Sequence, residues 1–235
     1  MGCQKAIDAG LGESVEKSSD GETLLTAAVN VKDVRIVGML LKHGAKPNDT
    51  NDNLETPLLI AATKRHKKIC ELLIEHGASL VQTSKYGETV LMRVVRRGVH
   101  ETKFGICRFF IDKTTVDVNA IDDNGNNVLH HAVPCSTKLM DFLIDNGANV
   151  NVVNNKGWTP LMTACSKSCL GNISQLLKAG ANINAGTQSI WEVSTKQSKQ
   201  ILQRNQCEKK KNIQKLKPKP VPKEYCVLNV EVSFL

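Results

Sequence analysis

The chain has 235 residues, 41% hydrophobic but only 4% aromatic, and carries 31 Lys and Arg against 23 Asp and Glu, a formal net charge of +8. Such aliphatic material suits a core of close-packed helices better than a large sheet sandwich. No apolar run reaches the roughly 18 residues of a membrane span. Eight scattered cysteines, with no CxxC pair and no export signal, read as reduced thiols of a cytosolic or nuclear protein.

In chain order, the opening "AIDAGLGESVEKSSDGET" has the form of a helix end, a glycine turn and a polar tip. Residues 1–19 are therefore expected to be a partial unit or N-terminal cap, or the start of a fragment. Gly2-Cys3 invites a check for acylation, but Ala6 stands where the pattern wants Ser or Thr. From residue 20 a theme recurs: "GETLLTAAV" from Gly21, "LETPLLIAA" from Leu54, "GETVLMRVV" from Gly87, "GNNVLHHAV" from Gly125 and "GWTPLMTAC" from Gly157. The anchors Thr23, Thr56, Thr89, Asn127 and Thr159 are spaced by 33, 33, 38 and 32 residues. Thr is a good N-cap, and Pro at the first helical position lacks only a donor that would be unpaired anyway. Thr56-Pro57 and Thr159-Pro160 follow this rule in full. The leucines at 25, 58, 91, 129 and 161 are predicted to point inward, and small residues such as Ala28, Ala61, Ala62, Ala132 and Ala164 let a second helix approach.

That second helix is predicted from paired apolar residues three or four apart: Ile36, Val37, Leu40 and Leu41 in the first unit, Ile69, Cys70, Leu72 and Leu73 in the second, Ile173, Leu176 and Leu177 in the fifth. Gly44, Gly77, Gly147 and Gly180 end these helices in the left-handed state that glycine enters cheaply. Polar stretches such as "NDTNDN" and "DDNGN" link the units.

A period near 33 with a Thr-Pro-Leu start resembles the ankyrin repeat family over residues 20–186, in five units. The resemblance implies an all-α solenoid of stacked helix-turn-helix units with short turn or hairpin tips. Partners are then expected on the concave face formed by first helices and tips. The family's His after Thr-Pro-Leu is kept only at His130; Thr26, Leu59, Met92 and Met162 hold the place elsewhere. The third unit is longer by five residues, about four of them in "GVHETKFGIC" and one in "TTVDVN", and Thr114 stands where Gly is expected. Residues 187–206 read as a degenerate sixth unit or C-terminal cap, with Ser189-Ile190-Trp191 in the Thr-Pro-Leu places.

Candidate chemistry is sparse. Cys165 and Cys169, with Cys135, His130 and His131 one unit away, lack the paired spacing of a zinc site, and Cys165 holds a small inward position. No Walker motif, GxGxxG, HExxH or GxSxG occurs, so neither enzyme activity, nor a cofactor, nor a metal is expected. Partner-binding candidates are Tyr86 and Lys156 in the tips, Trp158 at a tip base, and Arg93 and Arg96 (with Arg97) on the first helix of the third unit. Exposed Trp, Tyr and Arg are common interface anchors, and the arginines are expected to favour an acidic or mixed surface. The alternative for Trp158 is packing across neighbouring tips.

Residues 207–235 form a basic tail, with seven lysines against three glutamates. It resembles a loose nuclear-import pattern and, at Ile213, Leu216, Pro218, Pro220, Lys223 and Tyr225, the second half of a suppressor-of-cytokine-signalling box. The expectation is a monomeric protein-binding scaffold or adaptor, cytoplasmic or nuclear, with no small-molecule substrate. Nucleic acid is not an expected partner, since the tail's lysines lack interleaved aromatics. The alternative is a substrate-recognition subunit of a cullin-type ubiquitin ligase, recruiting through residues 207–230.

Overall fold

A computed structural model describes residues 21–96 and 105–216. The expected N-terminal partial unit, Arg97, most of the third unit's insertion and the tail beyond residue 216 lie outside them. The described residues form five helix pairs: α1 Leu24–Asn30 with α2 Val34–Lys42, α3 Pro57–Thr63 with α4 Lys67–Glu75, α5 Val90–Arg96 with α6 Gly105–Lys113, α7 Val128–Ala132 with α8 Thr137–Asp145, and α9 Pro160–Ser166 with α10 Leu170–Lys178. A short α11, Ile190–Val193, and a long α12, Lys196–Leu216, follow. The chain is an all-α solenoid, as its period implies.

Local chemistry sets each start. The Thr56 and Thr159 hydroxyls accept the amides of Leu59 and Met162, both at 3.2 Å, with proline at the first helical position. Asn127 does the same for His130 at 3.3 Å. The five anchor leucines are all buried, and the second-helix apolar residues meet them in one continuous core. Each such leucine contributes roughly 1.5–3 kcal/mol on burial.

Within three units the turn between helices closes in the same way. Asp33, His66 and Cys169 donate their amides to Ala28, Ala61 and Ala164 at 3.3, 2.9 and 3.0 Å, the reverse bond of a left-handed helix end. The residue before each is left-handed: Lys32 at φ 63°, Arg65 at 60° and Ser168 at 55°. The fourth unit's first helix is shorter, five residues against seven, and its turn contains Pro134. The buried Asn172 of α10 reaches across to it, donating to the carbonyls of Val133 at 2.7 Å and Cys135 at 2.9 Å.

The C-terminal expectation is extended. Ser189 caps α11, Ile190 is buried as Pro57, Val90, Val128 and Pro160 are in the same place, and the half-buried Trp191 packs against the core. Leu202 and Ser198 of α12 are buried, and Ser198 donates to the Cys165 carbonyl at 2.8 Å. The helix continues through residues 207–216, so there is no structural break at 206/207.

Candidate partner-binding surface

The tips follow one rule. An amide-to-carbonyl bond closes each base, from Asn51 to Glu55 (3.2 Å), Ser84 to Glu88 (3.1 Å), Asp122 to Asn126 (2.9 Å) and Asn154 to Trp158 (2.9 Å). The first residue's side chain accepts further amides from within the tip, as Asn154 Oδ1 does from Lys156 and Trp158, both at 3.0 Å. The fourth residue must be left-handed, and three tips use Gly87, Gly125 and Gly157. Asp123, Asn155 and Thr187 donate to the preceding tip at Tyr86, Asn124 and Gly157, at 3.1, 2.9 and 3.0 Å. A Cβ on any of these glycines would collide with the following tip.

Leu54 departs from this rule. It occupies the glycine place at φ 55° with its side chain exposed. The link from its tip to the next is made by Lys85 Nζ to Asn53 Oδ1 at 2.9 Å. A second line of bonds runs along the tip bases. Asn48 joins Gly77 and Ser79 at 3.0 and 2.7 Å, Asn119 joins Gly147 and Asn149 at 3.0 and 2.8 Å, and Asn151 receives Asn182 at 2.8 Å. Val81 stands in the corresponding place of the second of these tips and is 85% exposed.

The predicted contact residues separate into two groups. Tyr86 and Lys156 are exposed, and Lys85 Nζ lies 5.2 Å from the Tyr86 ring centroid. Arg93 is engaged inside the surface: its side chain is 11% exposed and bridges Glu55 of the neighbouring tip and Glu88, the latter at 3.2 Å. Arg96, 55% exposed, also binds Glu88, at 3.1 Å. Two carboxylates thus stand against two guanidiniums, which offsets the positive patch expected there. Removing both guanidiniums from the nearly buried Glu88 would leave a costly uncompensated charge. In the next unit His131 Nε2 lies 2.9 Å from Asp122.

Trp158 is half-buried against the core, and its indole donates to Gln188 of the following tip at 2.9 Å. That is the packing alternative in geometric form. Its carbonyl accepts from His130 Nε2 at 3.0 Å, which leaves Nδ1 to accept the Asn127 amide at 3.2 Å. Burial drives the His130 pKa down to about 4, so the ring is neutral at pH 7. Asn127 Nδ2 also donates to the Asn149 carbonyl at 2.8 Å, so the His-centred network survives with Asn in the Thr place. Burial pushes the Cys165 thiol up to about 11, and Cys70 and Cys107 up to about 12. Such thiols hold their protons and pack as small apolar groups. Among the described residues no group of three His, Cys, Asp or Glu is placed to hold a metal ion.

Sequence reasoning missed four exposed features: Leu54, Val81, Ile121 and Val153. Leu54 and Tyr86 within their tips, and Ile121 and Val153 immediately before theirs, give four consecutive units one large exposed side chain each, between 44 and 57% exposed. The signal for Leu54 was available, since it aligns with Gly21, Gly87, Gly125 and Gly157.

A family model described as "Ankyrin repeats (3 copies)" matches residues 3–84, 80–154 and 102–187. The human BCL-6 corepressor-like protein 1 is 33% identical over 113 residues, covering 47% of this chain and 6% of that protein. The mouse B-cell lymphoma 3 protein homolog is 28% identical over 189 residues, covering 76% of this chain and 41% of its own length. The chain thus spans less than half of these curated relatives. Among solved structures, an ankyrin repeat domain from Acinetobacter baumannii AYE is similar with a TM-score of 0.65 and 26% identity, covering 77% of this chain and 95% of that one. The ankyrin repeat domain of Bcl-3 gives 0.70 at 21% identity, covering 85% and 91%, a likeness of fold.

Proposed function

The chain belongs to the ankyrin repeat family, whose repeats are non-catalytic protein–protein interaction modules, and on that premise we propose that it is an adaptor capturing a partner protein on its tips and concave face, in the cytosol or nucleus. The ridge of Leu54, Tyr86, Ile121 and Val153 carries this reading. Large side chains left in water in four neighbouring units stabilise the fold little, yet would bury well against a partner. Leu54 adds weight, because it holds a backbone state that glycine would occupy with less strain. Lys156 and Arg96 flank the ridge as polar contacts. Arg93 and Trp158 support it from within, one bridging two carboxylates and the other joined to Gln188.

The test places a photo-crosslinking amino acid at Tyr86, at Ile121, or at the exposed Arg108 of α6. Partner adducts are expected from Tyr86 and Ile121 and not from Arg108. Adducts from Arg108 alone, or capture unchanged by Tyr86→Ser with Ile121→Ser, would refute the proposal.

A further inference from the structure

The exposed charges of the tips alternate along the row. Asp52 is exposed in the first tip, with Asp49 just before it, Lys85 in the second, Asp123 in the third and Lys156 in the fourth. The row thus reads acidic, basic, acidic, basic. The other ionised groups of these tips are engaged in the fold. Glu55 and Glu88 bind Arg93 and Arg96, and the buried Asp122 lies beside His131. Lys46 and Asp117 each stand two residues before a base asparagine, Asn48 or Asn119, and belong to the base line. Of the five row charges, only Lys85 has a bond among the described residues, to Asn53 at 2.9 Å, with the Tyr86 ring beside it. The row is also held as a unit. Asp123 and Asn155 donate their amides to the preceding tips, and Asn155 Nδ2 donates to the Asp123 carbonyl at 2.9 Å.

An alternating row of four is self-complementary in one arrangement that uses all four tips. A second copy, turned end for end about a twofold axis between the second and third tips, sets its fourth tip against the first and its third against the second. Asp49 and Asp52 then oppose Lys156, and Lys85 opposes Asp123, each pairing occurring twice. A parallel copy in register sets like charges against each other, as does a twofold axis through the second or third tip, and such contacts are costly. The same axis brings the unit of Leu54 against that of Val153, and the unit of Tyr86 against that of Ile121, so the exposed apolar ridge is covered in the same step. Net charge narrows the choice of face. The whole chain carries +8, so two copies repel on most approaches, whereas the row holds two lysines against three aspartates.

We propose that in the free protein the tip row is occupied by a second copy of this chain, docked antiparallel as an isologous dimer. The dimer takes the place of the monomer expected from the sequence. The inference rests on the reading of the tips as the interaction surface and names what occupies them before a partner does. Units stack ~8–10 Å apart, so the row is roughly 30 Å long and one tip wide. So narrow a contact makes a weak, exchanging dimer, which a captured partner displaces.

Sedimentation velocity of the full chain, up to about 0.1 mM in about 0.1 M salt, reads the equilibrium. The mass of the wild type is expected to rise with concentration towards that of two chains. Lys85→Glu with Lys156→Glu makes the row acidic throughout, and Asp52→Lys with Asp123→Lys makes it basic but for Asp49. Each pair should weaken self-association by about tenfold or more. Mixed in equal amounts, the two variants should associate again, since their rows are opposite in charge. Lys68→Glu with Lys178→Glu, on second helices, changes the net charge as much as the acidic variant does and should leave association within about twofold. If a charge reversal lowers the melting temperature, the neutral pair Asp52→Asn with Asp123→Asn should still show the loss. A wild type that stays monomeric, association unchanged in the tip variants, an equal loss in the Lys68 and Lys178 variant, or a mixture that stays monomeric would overturn the assignment. Partner adducts from Tyr86 in a chain that stays monomeric overturn only this inference. A dimer whose tips give no partner adducts overturns the adaptor reading and leaves this one standing.

Discussion

Lowering the pH from 7 to 5 should weaken the repeat stack through His130. Its pKa falls from 6.5 to about 4 in the folded protein, because burial penalises the charged ring. The unfolded chain therefore takes up the proton first. Stability is full above about pH 6.5, falls as the pH drops through that value, and levels off below about 4. Between pH 7 and 5 the expected loss is about 2 kcal/mol, since one pKa unit corresponds to 1.36 kcal/mol. For a domain of this size that is a fall of roughly 4–8 °C in melting temperature. Tryptophan fluorescence and circular dichroism during heating, at constant ionic strength, would measure it, with Trp158 reporting from the unit that accepts the His130 bond. The reference is His130→Leu, since Leu59, Met92 and Met162 already occupy the same place in other units and are buried. That variant should be less stable at pH 7, having lost the bonds to Trp158 and Asn127, yet lose much less on acidification. His66 shifts in the same direction and leaves a smaller residual slope. A wild-type melting temperature flat over this range, or an equal fall in His130→Leu, would refute the reasoning.

Asn172→Leu should destabilise the stack by about 1–2 kcal/mol, because it strips the buried Val133 and part-buried Cys135 carbonyls of their donor, a loss partly offset by removing the unpartnered Asn172 Oδ1; a chemical denaturation midpoint unchanged from wild type would contradict this. Leu54→Gly should stabilise the chain modestly. Relief of left-handed strain is worth roughly 1–2 kcal/mol, against roughly 0.5–1 kcal/mol for glycine's extra unfolded-state freedom, so a small rise in the same midpoint is expected, with weaker partner capture if the ridge binds. A fall in stability would mean that the Leu54 side chain holds the tip in place.

The repeat grammar was legible because each of its signs is a local physical requirement. Thr56-Pro57 and Thr159-Pro160 cap helices, Leu25 through Leu161 fill one layer, and Gly44, Gly77, Gly147 and Gly180 sit at φ between 84 and 89°. What stayed hidden depends on neighbouring units. Arg93 looked like an exposed anchor, but Glu55 lies 38 positions before it in the chain and meets it only once two tips stack. Trp158 bonds Gln188, 30 positions later, which no local pattern places beside its indole. Asn172 holds a buried place on α10, and no local rule says that the turn around Pro134 needs a donor there. Ile121 and Val153 were overlooked because an apolar residue beside a tip carries no pattern of its own; their exposure follows from where the tip points.

The positions that break the pattern cluster around one tip. Residues 78–89 follow a tip in which Leu54 replaces the usual glycine; beside the Asn48–Ser79 bond, they reach it through the side chains of Lys85 and, by way of Arg93, Glu88, where the other tips use a backbone amide. Val81 stands in the line of base asparagines that ties the tips together on either side. Tyr86 sits in the tip that follows, its carbonyl accepting from Asp123 at 3.1 Å, and Arg93 and Arg96 gather two carboxylates beside it. A solenoid's stability is close to a sum of unit and neighbour terms, so loosening a few links at one tip costs the stack little elsewhere. The departures from the repeat pattern therefore gather at and beside one tip in the middle of an otherwise regular row. Ion pairs of Glu55 and Glu88 with Arg93 and Arg96 stand at its base, while Leu54 and Tyr86 are exposed beside it.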